Sequence, residues 1–542
     1  MRKYRVYLAL LLLLTFLLTG CDLDLSRYTD ALYAAQSGGE SDLDVIPYSE
    51  MVYVRPDMKQ LEDTLSSAKE TAAGTDVSAI INCVYEVYDA YDAFYTNYSL
   101  ADIRYSGDLT DEYWEEEYNF CADNSPRVDA ILEELYYSLA KSPCLAELES
   151  EEYFGPGYFD AYQGENNWDA EFTALLEEQS ALISRYYELA ALGAEFEQGT
   201  EEYFAVCYED MAQVLVDLIL LRHEIAAYWG YDDYNQFATD FYFYRDYTVE
   251  ESRAYLNEIR EELVALYCRV NRSGIWENGF PYASEQDTYA YVEQMAHNMG
   301  GILEEAFTVM DRGGLYDITY NENKYNSSFE VYLTSYYEPF IFLCPSLTTY
   351  DQLVFAHEFG HFCNDYASYG SYAGVDVLEF FSQGMEYLSL CYVPDNDQLT
   401  KMKMADSLAM YVEQAAFAEF EMRMYEIPKI KLSPDALLDL YKEVGDSYGF
   451  ESLDYDPREF VTINHYYTNP LYIMSYVVSN DAAMELYQLE QETPGTGLAC
   501  FEENLTTDEY YFLSFLESAG LESPFAEGRI QQVRRTFEEI LG

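Results

Sequence analysis

A mainly α-helical body with one small β-sheet is the fold class this sequence predicts, and two observations carry the prediction. Stretches with apolar residues at helical spacing dominate, the clearest being Phe172 to Phe196, Glu201 to Tyr228 and Val249 to Val270. The β-rich pieces are short and cluster at Tyr316–Tyr320 and Ser328–Leu343. With 542 residues, 49% of them hydrophobic and 17% aromatic, the chain has material for a large core. No internal repeat appears and no linker interrupts the chain after about residue 45. The division that follows is a helical N-terminal lobe over 46–300 and a site-bearing lobe over 301–542.

The chain opens on a basic stretch, Met1 to Arg5, followed by an almost wholly apolar run from Val6 to Leu18. That run is too short for a comfortable span, which needs ~20 residues. Small residues then precede a cysteine in Leu18-Thr19-Gly20-Cys21. Residues 1–20 therefore read as a bacterial lipoprotein signal, with cleavage before Cys21 and acylation of that residue. An ordinary secretory signal is the weaker alternative. Residues 21–45, with the Ser-Gly-Gly-Glu-Ser-Asp core at 37–42, read as a flexible acidic linker. The expected location is extracytoplasmic, lipid-anchored to a bacterial membrane.

Charge is extreme: 99 acidic residues against 29 basic give −70. Removing Arg2, Lys3 and Arg5 with the signal leaves 26 against 99, or −73. Such a field repels polyanions, which argues against a nucleic-acid partner, and it attracts cationic peptides. A general acidic adaptation for solubility accounts for the same composition. After Cys21 nine cysteines remain, an odd number with no Cys-x-x-Cys pair, so a full disulfide framework is not expected despite export. No Walker loop and no Gly-x-Ser-x-Gly elbow is present, and Gly155-Pro156-Gly157 lacks the third glycine of a dinucleotide fingerprint.

The most informative stretch is His357-Glu358-Phe359-Gly360-His361. Residues four apart share one helix face, so both imidazoles can hold one metal ion, and Glu358 between them can act as general base. Two of the chain's five histidines lie in these five positions. The surrounding sequence predicts a buried helix of about four turns, capped by Asp351 and ending near Asn364-Asp365. A hydrolytic zinc site wants a third protein ligand, and Glu379, 18 positions after His361, is the candidate on a second helix. Asp376 is its expected cap. Glu379, Gln383 and Glu386 form one stripe of that helix. The stripe is either a metal-facing row, with Glu386 orienting a ligand, or a solvated acidic face. Cys363 points elsewhere on the first helix and is not counted as a ligand. His223 and His297 read as structural.

Together these segments resemble the thimet oligopeptidase and oligoendopeptidase F group of zinc metallopeptidases. Glu338 to Leu343 resembles the group's edge strand, and Tyr350 to His361 its active-site helix. Glu379-Phe380-Phe381-Ser382-Gln383-Gly384-Met385-Glu386 is similar to its second-helix signature. Arg222 to Tyr234, His465 to Tyr476 and Ala519 to Phe525 resemble further segments, so the likeness runs from about residue 200 to the end. Cys344, Met474 and a short loop between the two ligand-bearing helices depart from the usual pattern. The resemblance implies a two-lobed helical body with a deep channel for short peptides and a small sheet beside the active-site helix. It implies one zinc ion on His357, His361 and Glu379, with Glu358 as base and then acid. It also implies that His465, Tyr472 or Tyr476 stabilises the oxyanion. Two other functions compete: a dipeptidyl carboxypeptidase of similar helical type, and a catalytically silent peptide-binding lipoprotein. The intact Glu358 argues against the second.

Overall fold

Helices of eight residues or more make up most of the computed structural model, which describes residues 45–542 apart from 151–152, 164–169, 194–195, 197–198, 278, 372 and 454. In chain order they are α1 Met58–Ala72, α2 Val77–Gly107, α3 Glu112–Leu139, α4 Ala170–Gly193, α5 Glu201–Tyr228 and α6 Val249–Asn271. There follow α7 Glu285–Met299, α8 Gly301–Gly313, α9 Tyr350–Ser368, α10 Val375–Tyr392 and α11 Asp397–Met424. The last are α12 Pro434–Ser447, α13 Ile473–Glu492, α14 Thr496–Asn504, α15 Phe512–Ala519 and α16 Arg529–Leu541. The mainly α prediction holds, and the three helices singled out by periodicity appear as α4, α5 and α6. Their starts follow side-chain chemistry: Thr200 accepts from the Tyr203 amide, and Thr248 and Glu251 form a reciprocal capping box.

Three strands, β1 Tyr316–Asp317, β2 Phe329–Leu333 and β3 Glu338–Phe342, form the small sheet in the order β1-β3-β2. β1 runs parallel to β3, and β2 runs antiparallel to it, with Phe329 opposite Phe342 and Leu333 opposite Glu338. The 338–343 segment is thus the central strand, not the edge. Its neighbour β1 is only two residues long, and all five residues of β3 are buried, which suits the continuous apolar run Phe340-Ile341-Phe342. The longer edge strand is β2, which packs on α9 and α2.

Two hydrophobic cores stabilise the molecule. A smaller one gathers α1, α2, α3 and the turns out to Tyr162, and a larger one runs through the rest of the chain. α10 lies in the larger core, wedged between α9 and α13. Several tyrosines, buried or half-buried, donate to carboxylates: Tyr53 to Glu117 (2.6 Å), Tyr255 to Asp481 (3.2 Å), Tyr267 to Glu413 (2.6 Å) and Tyr392 to Glu490 (2.9 Å). Among the described residues no disulfide forms, and no helix is long and apolar enough to cross a membrane. The signal, Cys21 and most of the acidic linker lie outside the described residues.

Candidate metal centre

α9 presents His357 and His361 one turn apart, with ring centroids 5.2 Å from each other. α10 crosses it closely enough to bring Glu379 to the same place, and Gly360 permits the approach. A Cβ at that position would sit 2.4 Å from the Phe381 carbonyl oxygen and 2.7 Å from the Ser382 Cα, both backbone atoms. One ligand atom each from His357, His361 and Glu379 lies within 4.8 Å of the others. His357 Nε2 is 3.7 Å from Glu379 Oε2. Tetrahedral ligands ~2.0–2.1 Å from a zinc ion stand roughly 3.4 Å apart, so this donor set fits zinc with a small contraction.

The carboxylate stripe of α10 is buried throughout: Glu379 is 8% exposed, Gln383 1% and Glu386 7%. That excludes the solvated-face reading. Glu386 Oε1 bonds His357 Nδ1 at 2.9 Å, and its Oε2 accepts from Lys403 Nζ at 2.6 Å. The first bond sets the tautomer that leaves Nε2 pointing at Glu379. Glu379 accepts from Tyr472 Oη (3.1 Å) through Oε1 and from Ser382 Oγ (3.1 Å) through Oε2. Its two oxygens are oriented before any metal arrives.

Electrostatics follow from burial in an acidic pocket. Burial pushes the Glu358 carboxyl up to about 7; His357 opposes that shift, while Glu379 and Glu386 add to it. Burial also raises Glu379, against His357, Tyr472 and Ser382. For Glu386, burial alone would raise it, but Lys403 and His357 outweigh burial and hold it below the usual carboxylate range. Burial and the neighbouring His357 charge drop His361 to about 3, so His361 is a neutral imidazole suited to ligation. Burial opposes a charge on His357 as well, yet the Glu386 bond and surrounding carboxylates lift it to about 9. Ligation there releases a proton.

His465, Tyr472 and Tyr476 come together beside Glu379. Ring centroids are 5.7 Å apart for His465 and Tyr472, 5.8 Å for His465 and Tyr476, and 5.1 Å for the two tyrosines. Burial lowers His465 to about 4, so it is neutral. Tyr476 Oη makes a long 3.5 Å contact with His465 Nε2 and feels the charges of Glu379 and Glu358.

Some local expectations fail. Asp351 does not cap α9, which starts one residue earlier. It holds the preceding turn through the Ser346 and Thr348 amides (2.9 and 3.2 Å). α9 also overruns Asn364-Asp365, because Asn364 is buried and donates to the Leu505 carbonyl (2.8 Å), and it stops at left-handed Tyr369. Asp376 is not the cap of α10 either; it is buried and accepts from Tyr247 Oη (2.8 Å). His223 contacts Tyr425 edge-on, and His297 is exposed and bonds Glu304 (2.8 Å). Sequence reading missed Lys403. The signal available was a lysine on the apolar face of α11, four residues after buried Leu399 and four before buried Ser407.

Residues 48–168 match the family model of the Peptidase M3 N-terminal domain. No protein of curated function matches the chain in sequence. Among solved structures, a chain described as an oligoendopeptidase F superposes with a TM-score of 0.77 at 20% identity, covering 92% of this chain and 98% of that one. PZ peptidase A, solved with an inhibitor, gives 0.77 at 20% identity over 91% and 98%. A chain described as an oligoendopeptidase F from Bacillus anthracis gives 0.74 at 20% identity over 92% and 98%. At such identities the likeness establishes the fold over nearly the whole length of each chain. Residues 48–168 thus match the Peptidase M3 N-terminal domain, and the chain as a whole shares the fold of the oligoendopeptidase F structures.

Proposed function

We propose that the chain is a zinc-dependent endopeptidase acting on short peptides. The reading is carried by the three ligand atoms of His357, His361 and Glu379 gathered within 4.8 Å beside buried Glu358. Zinc held by those residues supplies a Lewis acid that lowers the pKa of a water toward ~7 and polarises a carbonyl. Glu358 takes the proton of the attacking water on its carboxylate and passes it to the leaving nitrogen. Burial keeps its basicity near the neutral range where such transfer works best. Glu386, held by Lys403, keeps His357 in its ligating tautomer.

Oxyanion stabilisation falls to Tyr476 and neutral His465 more than to Tyr472, whose hydroxyl is already given to Glu379. The edge strand β2 offers main-chain groups to an extended peptide. From residues 1–45 we also propose that the mature chain is tethered through lipid on Cys21 outside a bacterial cytoplasmic membrane. Short peptides, preferably cationic, are its partners there, and nucleic acid is not.

The test is hydrolysis of quenched peptides of graded length by the soluble form lacking residues 1–21, with and without a chelator, beside Glu358→Gln. Cleavage should need the metal and decline with peptide length. Glu358→Gln should keep its zinc and lose on the order of 10²–10⁴ in turnover. Folded, zinc-loaded wild type that cleaves none of the peptides would refute the reading.

A further inference from the structure

Two buried guanidinium groups from earlier in the chain grip the segment that carries His465, Tyr472 and Tyr476. Arg222 on α5 is fully buried and donates to the Tyr466 carbonyl (2.6 Å) and to the Tyr467 carbonyl. Those bonds fix the one-turn helix His465–Thr468. Arg245 lies between the short helix Tyr234–Phe237 and α6, and its side chain is only 4% exposed. Its Nη2 donates both to the Leu471 carbonyl (3.0 Å) and to Ser475 Oγ (2.8 Å). These two residues flank Tyr472 closely, and Ser475 precedes Tyr476.

The same guanidinium faces the ligand-bearing helix. Arg245 Nε lies 3.6 Å from Asp376 Oδ2, and Asp376 stands three residues before Glu379 on α10. Phe243 lies under the guanidinium at 4.1 Å, and Tyr247, which donates to Asp376, lies at 5.6 Å. Fully buried Glu421 on α11 lines the same small polar space with Asn235, Ser252 and Leu471. Leu471 itself has φ 67°, a left-handed conformation that is strained for a leucine and persists only where its surroundings over-determine it. The Arg245 bond lands on the carbonyl of that strained residue.

We infer that Arg245 is a positioning residue, which sets the aim of the Tyr472 and Tyr476 hydroxyls relative to Glu379 by tying the Leu471–Ser475 turn to Asp376. The meaning of that aim rests on the peptidase reading above. A planar fork with donors in fixed directions can serve two acceptors and a carboxylate at once; a lysine cannot. A residue that merely filled the core would leave the two helices free to set their own distance.

The experiment compares Arg245→Lys and Arg245→Ala with wild type by zinc content, hydrogen exchange of the 465–476 segment, and kcat and KM. Both variants should keep zinc and KM, exchange faster in that segment, and lose roughly 10- to 100-fold in kcat, as misaimed groups do. In a Tyr476→Phe background the same substitution should cost less than about threefold, because residues acting as a unit are not additive. Added guanidinium ion should restore part of kcat to Arg245→Ala. Unchanged exchange across 465–476 in folded Arg245→Lys, or an undiminished kcat loss in the Tyr476→Phe background, would overturn the inference. If Arg245→Ala does not fold, Arg245→Lys and Ser475→Ala carry the exchange comparison, with the smaller change expected from Ser475→Ala. Wild type that cleaves nothing defeats the peptidase reading, while the exchange result still decides whether Arg245 holds the segment.

Discussion

At Glu386 two buried partners meet: His357 on one oxygen and Lys403, 1% exposed, on the other. Removing the lysine leaves a buried carboxylate short of its counter-charge, an arrangement that costs more than the pair ever gained. The carboxylate then takes up a proton or turns away, and the His357 ring loses its anchor. Lys403→Met is therefore expected to weaken zinc affinity by about 10- to 100-fold, the usual cost of losing an outer partner. Competition with a chromogenic chelator measures it, and an unchanged affinity would separate Lys403 from the metal site. The candidate ligands His357 and His361 were legible in the sequence because helix periodicity converts a spacing of four into one face. Lys403 was not, because its partner is 17 residues back on another helix, and its place on the apolar face of α11 tells only that it is buried, not what it meets.

Between α9 and α10 the deciding residue has no side chain. Gly360 lets the Phe381 carbonyl come within 2.4 Å of where a Cβ would stand, so Glu379 reaches the histidines. The obstacle is backbone, so Gly360→Ala can be relieved only by moving one helix. We expect a loss of about 1–3 kcal/mol of stability, in line with overpacked cores, together with weaker zinc binding. Urea unfolding and metal titration read the two effects, and a variant that keeps wild-type metal affinity would show that the helices need no such contact. The existence of α4 to α6, α9 and α10 could be read from periodicity. The place of β3 could not, since the Tyr316–Tyr320 piece reads as β-rich but nothing in it tells that two of its residues pair with β3 on the side away from β2. The mistaken caps at Asp351 and Asp376 have one cause: each aspartate satisfies partners outside its helix, Ser346 and Thr348 in one case and Tyr247 in the other.

Across the whole molecule, 99 acidic residues against 29 basic impose a field that no single contact explains. Capture of a peptide carrying several lysines should depend on that field, with kcat/KM falling by roughly tenfold from low salt to a few hundred millimolar as the Debye length shrinks. A neutral peptide of the same length should change little. Equal salt dependence for both peptides would mean that acidity has no part in capture. The interior answers the same composition differently. Tyr53, Tyr255, Tyr267 and Tyr392 each give a hydroxyl to a carboxylate. A phenol stabilises an anion without cancelling its charge, and a sheltered hydrogen bond offers dissolved ions little to screen. At Glu413 and Glu490 a tyrosine thus does without an arginine what Arg55 and Arg529 share with a tyrosine at Glu117 and Asp481, so part of the acidity is carried without taking up one of the few cations.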